Sequence, residues 1–137
     1  MATLFSGVPS TLFFIITGVD LWPPIQAVGE MVLPSSSEPS QIFIAAALVH
    51  GTVSVFWTLV VARILPVKHA PAYAIAASAL IAVIDLRVIA PVFFPAVAAL
   101  SFWPQVADHL AWGLLLGVTL EWSAKARARR RGAEPAN

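Results

Sequence analysis

Four ionisable side chains that could carry chemistry stand inside apolar stretches of this sequence. His50, Asp85 and His109 each lie in an apolar stretch, and Asp108 directly precedes His109. Imidazole and carboxyl groups can pass protons between them, and two histidines can ligate a haem iron. A carboxyl group in apolar surroundings is costly unless it is paired or protonated. We therefore predict that these side chains meet at one level of the fold.

The stretch ALIAVIDLRVIAP, residues 79–91, places Asp85 and Arg87 two positions apart. On a helix such residues point about 200° apart, which predicts that they do not form a local ion pair. The long arginine side chain can extend outward to lipid phosphates, whereas the short aspartate needs a neighbour from another helix. The number of helical residues from each helix end places His50 at nearly the same depth in the membrane as Asp85. We predict His50 as the partner of Asp85, with His109 at the same level.

The composition predicts an integral membrane protein. Hydrophobic residues make up 59% of the chain and charged residues 11%, and the mean hydropathy is +0.86, whereas soluble domains carry roughly 25% charged residues. The absence of cysteine excludes disulfides, iron–sulfur clusters, thiolate zinc sites and a cysteine nucleophile. No basic residue precedes the first apolar stretch, so we expect a retained helix and not a cleaved signal peptide.

Four apolar blocks predict an all-α membrane protein with four transmembrane helices. Pro23 and Pro24 are expected to end or kink the first block, and an interfacial segment is predicted after the first and after the third span. Residues 1–124 would form the bundle and 125–137 a basic, disordered cytoplasmic tail. The four predicted spans cover residues of about 4–22, 41–65, 72–92 and 105–122.

The basic residues predict the orientation. With four crossings, Arg63, Lys68 and the basic residues of the tail fall on one side of the membrane, and only Arg87 lies elsewhere. By the positive-inside rule both termini are then cytoplasmic, and we predict the bacterial inner membrane as the location.

Small residues predict the faces on which the helices pack. Ser54 follows His50 by four positions, and Gly113 and Gly117 follow His109 at four and eight. Such spacing places the small residues on one helix face and lets two helices approach closely where lipid supplies no hydrophobic drive.

Three segments carry a resemblance to a family. AALVHGTVSVFW at 46–57 and VADHLAWGLLLGVTL at 106–120, separated by the proline-broken VIAPVFFP at 88–95, resemble small bacterial inner-membrane proteins of the YagU-like kind. The resemblance implies a four-helix inner-membrane protein without established chemistry, and it transfers no catalytic residue. Ser54 stands where that pattern has glycine.

The sequence holds no phosphate-binding glycine loop, no G-x-S-x-G and no H-E-x-x-H, so we expect no enzyme and no metal site. We predict a non-enzymatic accessory or assembly subunit that contacts the lipid bilayer and forms a homo-oligomer or part of a larger membrane complex, without nucleic acid. A proton or ion pathway centred on His50 and Asp85 is the first alternative. The second is an electron carrier in which His50 and His109 ligate haem b.

Overall fold

The computed structural model describes residues 5–132, and no strand occurs among them. The prediction of an all-α chain is confirmed for these residues. Two helices, Pro39–Ile64 and Ala70–Phe93, are long and apolar enough to cross a membrane. In chain order the helices are α1 (Val8–Thr17), α2 (Trp22–Gly29), α3 (Pro39–Ile64), α4 (Ala70–Phe93), α5 (Pro95–Ala98) and α6 (Phe102–Gly132).

Helix α1 is shorter than the predicted first span of 4–22, of which Leu4 lies outside the described residues. It ends because Gly18 takes a left-handed conformation with a φ of 68°. The N–H of Val19 then bonds to the carbonyl of Phe14 at 3.1 Å, which closes the helix end. Ten residues rise about 15 Å, half of a bilayer core of about 30 Å. The prediction of one continuous helix over this block is therefore wrong.

The two prolines begin helix α2 and do not end the helix before it. Pro23 and Pro24 occupy the first turn, where a helix needs no N–H from them. The N–H of Trp22 donates to the carboxylate of Asp20 at 2.9 Å, so the first turn has no orphan donor. Helix α2 packs against α3, and the backbone of Gly29 lies against Ile42.

Helix α3 starts two residues before the predicted span. Glu38 and Gln41 form a capping box around Pro39, in which each side chain bonds to the backbone of the other residue. The helix ends at Ile64 because Leu65 precedes Pro66 and takes an extended conformation.

Helix α4 contains one widened turn, the π-helical segment Asp85–Ile89. The N–H of Ala90 bonds to the carbonyl of Asp85, five residues back. Pro91 follows directly, and in a regular α-helix its ring would collide with the carbonyl of Arg87. The wider turn gives the ring room and lets the helix continue to Phe93.

Helices α4 and α6 form the most extensive contact, and two glycines make it possible. A Cβ atom added at Gly113 would lie 2.7 Å from the carbonyl oxygen of Ala74, and one at Gly117 would lie 2.7 Å from that of Ala70. The predicted small-residue face of α6 therefore packs on α4. Ser54 on α3 is only half-buried.

Large side chains fill the space between α3 and this close pair. Val61, Ile81, Trp112 and Leu116 form the buried core, one or two from each long helix. The indole N–H of Trp112 donates to the hydroxyl of Thr58 at 3.2 Å, so the buried tryptophan has a partner. The three long helices thus meet around one tryptophan.

Helix α6 continues through the basic residues predicted as a disordered tail. The described part of that tail, residues 125–132, is helical, and Lys125 pairs with Glu121 one turn before it. Alanine, lysine and arginine are strong helix formers, and positive charge favours a helix C-terminus. The 31 residues of α6 rise about 46 Å, more than the thickness of a bilayer core.

Substitution Gly113→Ala is expected to destabilise the protein, because the new methyl group would overlap Ala74 and Ser78 of α4. Overpacking of this kind costs about 1–3 kcal/mol. Unfolding in mixed detergent micelles, followed by circular dichroism, measures the loss.

Gly51→Ala is the matched control, because a Cβ atom at Gly51 meets nothing within 4 Å. This change lies inside α3 and should leave stability unchanged or raise it by up to about 1 kcal/mol through helix propensity. Equal effects of the two substitutions would contradict the close packing of α4 on α6.

Candidate functional site

Four parts of the chain bring polar side chains to one place. They are the start of α1, the middle of α3, the π turn of α4 and the first two turns of α6. We call this set the polar cluster; its members are Ser6, Ser10, His50, Asp85, Asp108 and His109.

Asp108 caps helix α1 from a different helix. Its Oδ1 accepts the backbone N–H of Ser10 at 2.8 Å. Helix α1 has no cap of its own, because Gly7 stands at the N-cap position and Pro9 has no N–H to donate. The carboxylate therefore satisfies a first-turn donor and lies at the positive end of the helix dipole.

His50 reaches the cluster through Ser6. The imidazole Nε2 and the serine hydroxyl lie 3.0 Å apart. His50 is also close enough to Asp108 for their charges to interact. The His50 residue is nevertheless exposed on the surface of the bundle, whereas Asp108 is half-buried. This histidine therefore stands at the outer edge of the cluster.

Asp85 and His109 form the inner pair of the cluster. Their Oδ2 and Nε2 atoms lie 3.5 Å apart, and each side chain is largely covered, with 22% and 24% exposed. The other imidazole nitrogen, Nδ1, lies 2.8 Å from the backbone carbonyl of Gln105. A carbonyl only accepts, so Nδ1 carries a proton.

That tautomer limits which protonation states of the pair are favourable. If both Nε2 of His109 and the carboxylate of Asp85 lacked a proton, two lone pairs would face each other. A proton on the imidazole or on the carboxyl group removes this repulsion and makes the contact favourable. In either form the pair carries no net charge, which is the arrangement that an apolar interior accepts at least cost.

Arg87 lies outside the polar cluster. Its guanidinium carbon lies 4.1 Å from the ring centroid of Phe102, a cation–π contact with the first residue of α6. The Arg87 residue is exposed. The two charged residues of the π turn thus have separate partners, and they do not pair with each other.

The predicted pairing within the cluster differs from the structure in one respect. Asp85 contacts His109 and not His50, which bonds to Ser6 instead. The difference arises from which helices are direct neighbours. The glycines of α6 bring that helix directly against α4, whereas large side chains separate α3 from α4. Depth along a helix could not distinguish these neighbours.

Sequence reasoning missed three members of this arrangement. Ser6, Ser10 and the carbonyl of Gln105 form hydrogen bonds that no sequence motif predicts. One signal was present, since Gly7 and Pro9 begin a helix without any side chain that could cap it, and such a helix needs a cap from elsewhere.

The histidine nitrogens bear on the haem hypothesis. Both ring nitrogens of His109 are engaged, with Gln105 and with Asp85, so neither points a free lone pair at a metal. Among residues 5–132, no group of three or more histidine, aspartate or glutamate side chains could hold a metal ion. Haem ligation by His50 and His109 stays a prediction, and it would require His109 to give up one of these two contacts.

Comparison of the chain with protein-family profiles, curated proteins and solved structures finds no match. The functional argument accordingly rests on the cluster and on the surface around it.

Substitution Asp108→Ala is expected to destabilise the protein by about 1–2 kcal/mol, the usual cost of removing a helix N-cap. The same change should speed hydrogen exchange at the Ser10 amide, because its acceptor is lost. Detergent unfolding and amide exchange measure the two effects.

Asp108→Asn is the matched control, because the amide oxygen can still accept from Ser10. It should lose less than half as much stability as the alanine variant and should keep the Ser10 amide protected. If the two variants lose equal stability and protection, the carboxylate acts through its charge and the capping role is wrong.

Proposed function

We propose that this chain is a small multi-pass protein of the bacterial inner membrane, non-enzymatic, which acts as an accessory or assembly subunit in a homo-oligomer or larger membrane complex. The observation that carries the proposal is the exposure of its most apolar helices. Only 17% of the most apolar window of α3 is buried, and 28% of that of α4.

This exposure argues against a soluble fold. In a soluble protein, helices as apolar as α3 and α4 form the core and are mostly buried. Here α3 leaves a succession of large apolar side chains uncovered, and patches of this size mark contact with a membrane or another protein. They include Phe43, Ile44, Leu48, Val55, Phe56 and Leu59.

Four crossings agree best with the charges. Helices α3 and α4 supply two, and α6 is long enough for a third, with its basic end on the cytoplasmic side. Helix α1, with 10 residues, would supply about half of the remaining crossing. A place among the YagU-like proteins is part of the same proposal and rests on the three segments quoted for it.

The polar cluster supports a structural role. Among residues 5–132, no buried side-chain nitrogen or oxygen lacks a hydrogen-bond partner. A set of groups that satisfy one another across helices fixes the register of those helices. The exposed face of α3 then remains as the surface through which the subunit would assemble.

A proton pathway is the second candidate function, and one observation favours it. The carboxyl group of Asp85 and the imidazole of His109 can both bind a proton, and they lie 3.5 Å apart beside a π turn of the kind common at functional sites. Paired ionisable residues inside membrane helices are also typical of proton relays.

The chain contains no cysteine, so single cysteines report the topology cleanly. Cysteine at Ser36, between α2 and α3, should react with a membrane-impermeant maleimide in intact cells. Cysteine at Val67, between α3 and α4, should react only after the membrane is permeabilised. Labelling of both positions from the same side would contradict the crossing of α3.

Substitution Asp85→Asn separates the two candidate functions. If the pair is only structural, the Asp85→Asn variant should lose about 1–3 kcal/mol of stability and proton flux into liposomes should be unchanged. As a relay, flux falls to the level of empty liposomes. Glu121→Gln is the control, since it removes a carboxylate that lies outside the cluster and pairs with Lys125.

A further inference from the structure

A groove between α1 and α3 opens beside the polar cluster. It has a volume of ≈480 Å³, and His50, Gly51 and Ala47 line one side of it. Val8, Thr11 and Leu12 of α1 line the other side. The flanking Val8 and Leu12 are exposed, so the groove opens onto the surface that would face the hydrocarbon of the bilayer.

His50 gives this groove one polar group with spare capacity. Its Nε2 bonds to Ser6, and Nδ1 makes no hydrogen bond to any of residues 5–132. The hydroxyl of Thr11 already donates to the carbonyl of Gly7 at 2.7 Å. An imidazole nitrogen without a partner is unfavourable in hydrocarbon, so a ligand that supplies one is favoured.

The walls of the groove favour a flat ligand. A Cβ atom at Gly7 or at Gly51 would meet nothing within 4 Å, and both glycines line the groove. The absence of side chains there leaves open space over the backbone at both positions. Ala47 adds only a methyl group one turn from Gly51, so a planar ring can lie against this side without obstruction.

The carboxyl group of Asp108 nearby disfavours an acidic ligand. The carboxylate of Asp108 lies close enough to His50 for their charges to interact, so an anionic headgroup would meet repulsion. A neutral carbonyl can accept a proton from Nδ1, and a neutral hydroxyl can donate one to it. The imidazole can serve either ligand by changing tautomer.

We infer that this groove binds a neutral, membrane-soluble molecule of the quinone class, with a ring oxygen hydrogen-bonded to His50 and the apolar tail in the bilayer. This inference rests on the proposed location in the membrane. It concerns binding alone and assigns no electron transfer to the chain.

Photolabelling of the full chain in lipid nanodiscs tests the inference. The probe is an azido derivative of a short-tail benzoquinone, and mass spectrometry locates the adduct. We expect labelling of the segments around Val8–Leu12 and Ala47–Gly51 that excess decylubiquinone suppresses and excess palmitic acid does not. Labelling spread evenly over α3 and α4, or suppressed equally by palmitic acid, would overturn the inference.

Three variants sharpen the test. His50→Leu should lower the labelling at least about fivefold, the change expected for one net hydrogen bond. Gly51→Leu should abolish it by filling the groove. Ala76→Leu, which adds the same bulk at an exposed position of α4, should leave it unchanged. Full labelling of the His50 and Gly51 variants would overturn the inference, and circular dichroism shows whether each variant is folded.

Membrane insertion is measured in the same preparations by resistance to alkaline carbonate extraction. Release of the wild-type protein by carbonate would defeat the proposed function itself. Retention in the membrane without specific labelling would defeat the quinone site alone.

Discussion

A carboxyl group that sits among apolar helices needs a partner from another helix, and the arrangement of this protein depends on that requirement. Asp85 meets it with His109, and Asp108 meets it with the first turn of α1. Each bond joins elements that are distant in the sequence, so together they set the heights of α1, α4 and α6 relative to one another. The apolar contacts around them are less directional and could be satisfied in several registers.

Close packing and polar pairing support each other at this level. Gly113 and Gly117 bring α6 against α4, and this approach places His109 beside the π turn. The π turn in turn lets α4 pass Pro91 as a helix. Without the glycines the imidazole would lie too far from Asp85, and without the pair the carboxyl group would face lipid or an apolar interior.

The sequence predicted much of the helical framework because that framework depends on local patterns. The lengths of the apolar stretches predicted the bounds of α3 and α4 to within a few residues. Small residues at four-residue spacing indicated the packing face of α6. The end of α1 differs from the prediction because Gly18 ends the helix, whereas Pro23 and Pro24 lie in the first turn of the next one. The charge of the last residues of α6 predicts a disordered tail, whereas their alanine, lysine and arginine content favours the helix that the structure has there.

The polar cluster was harder to predict in detail than in outline. Its ionisable members could be recognised, since each interrupts an apolar stretch. Their pairing depends on which helices lie side by side. A single sequence gives the depth of a residue along its helix but does not tell which helices are neighbours. Ser6 and Ser10 could not be singled out, because they act through a hydroxyl and a backbone N–H whose partners lie at least 44 residues away.

The groove beside His50 is of interest because the hydrogen bonding of that imidazole is incomplete. The inner members of the cluster satisfy one another, whereas the outer imidazole keeps one nitrogen without a partner in the described chain. In water such a nitrogen would be unremarkable, since solvent would bond to it. In a bilayer it becomes a reason to look for a polar ligand that dissolves in lipid.

A double-mutant cycle on Asp85→Ala and His109→Ala, with unfolding measured in mixed micelles, tests most directly whether this inter-helix pair holds the bundle together. A coupling free energy of at least about 1 kcal/mol is expected, as for residues in direct contact. Additivity of the two changes to within about 0.5 kcal/mol would show that the side chains act independently and would contradict the central claim.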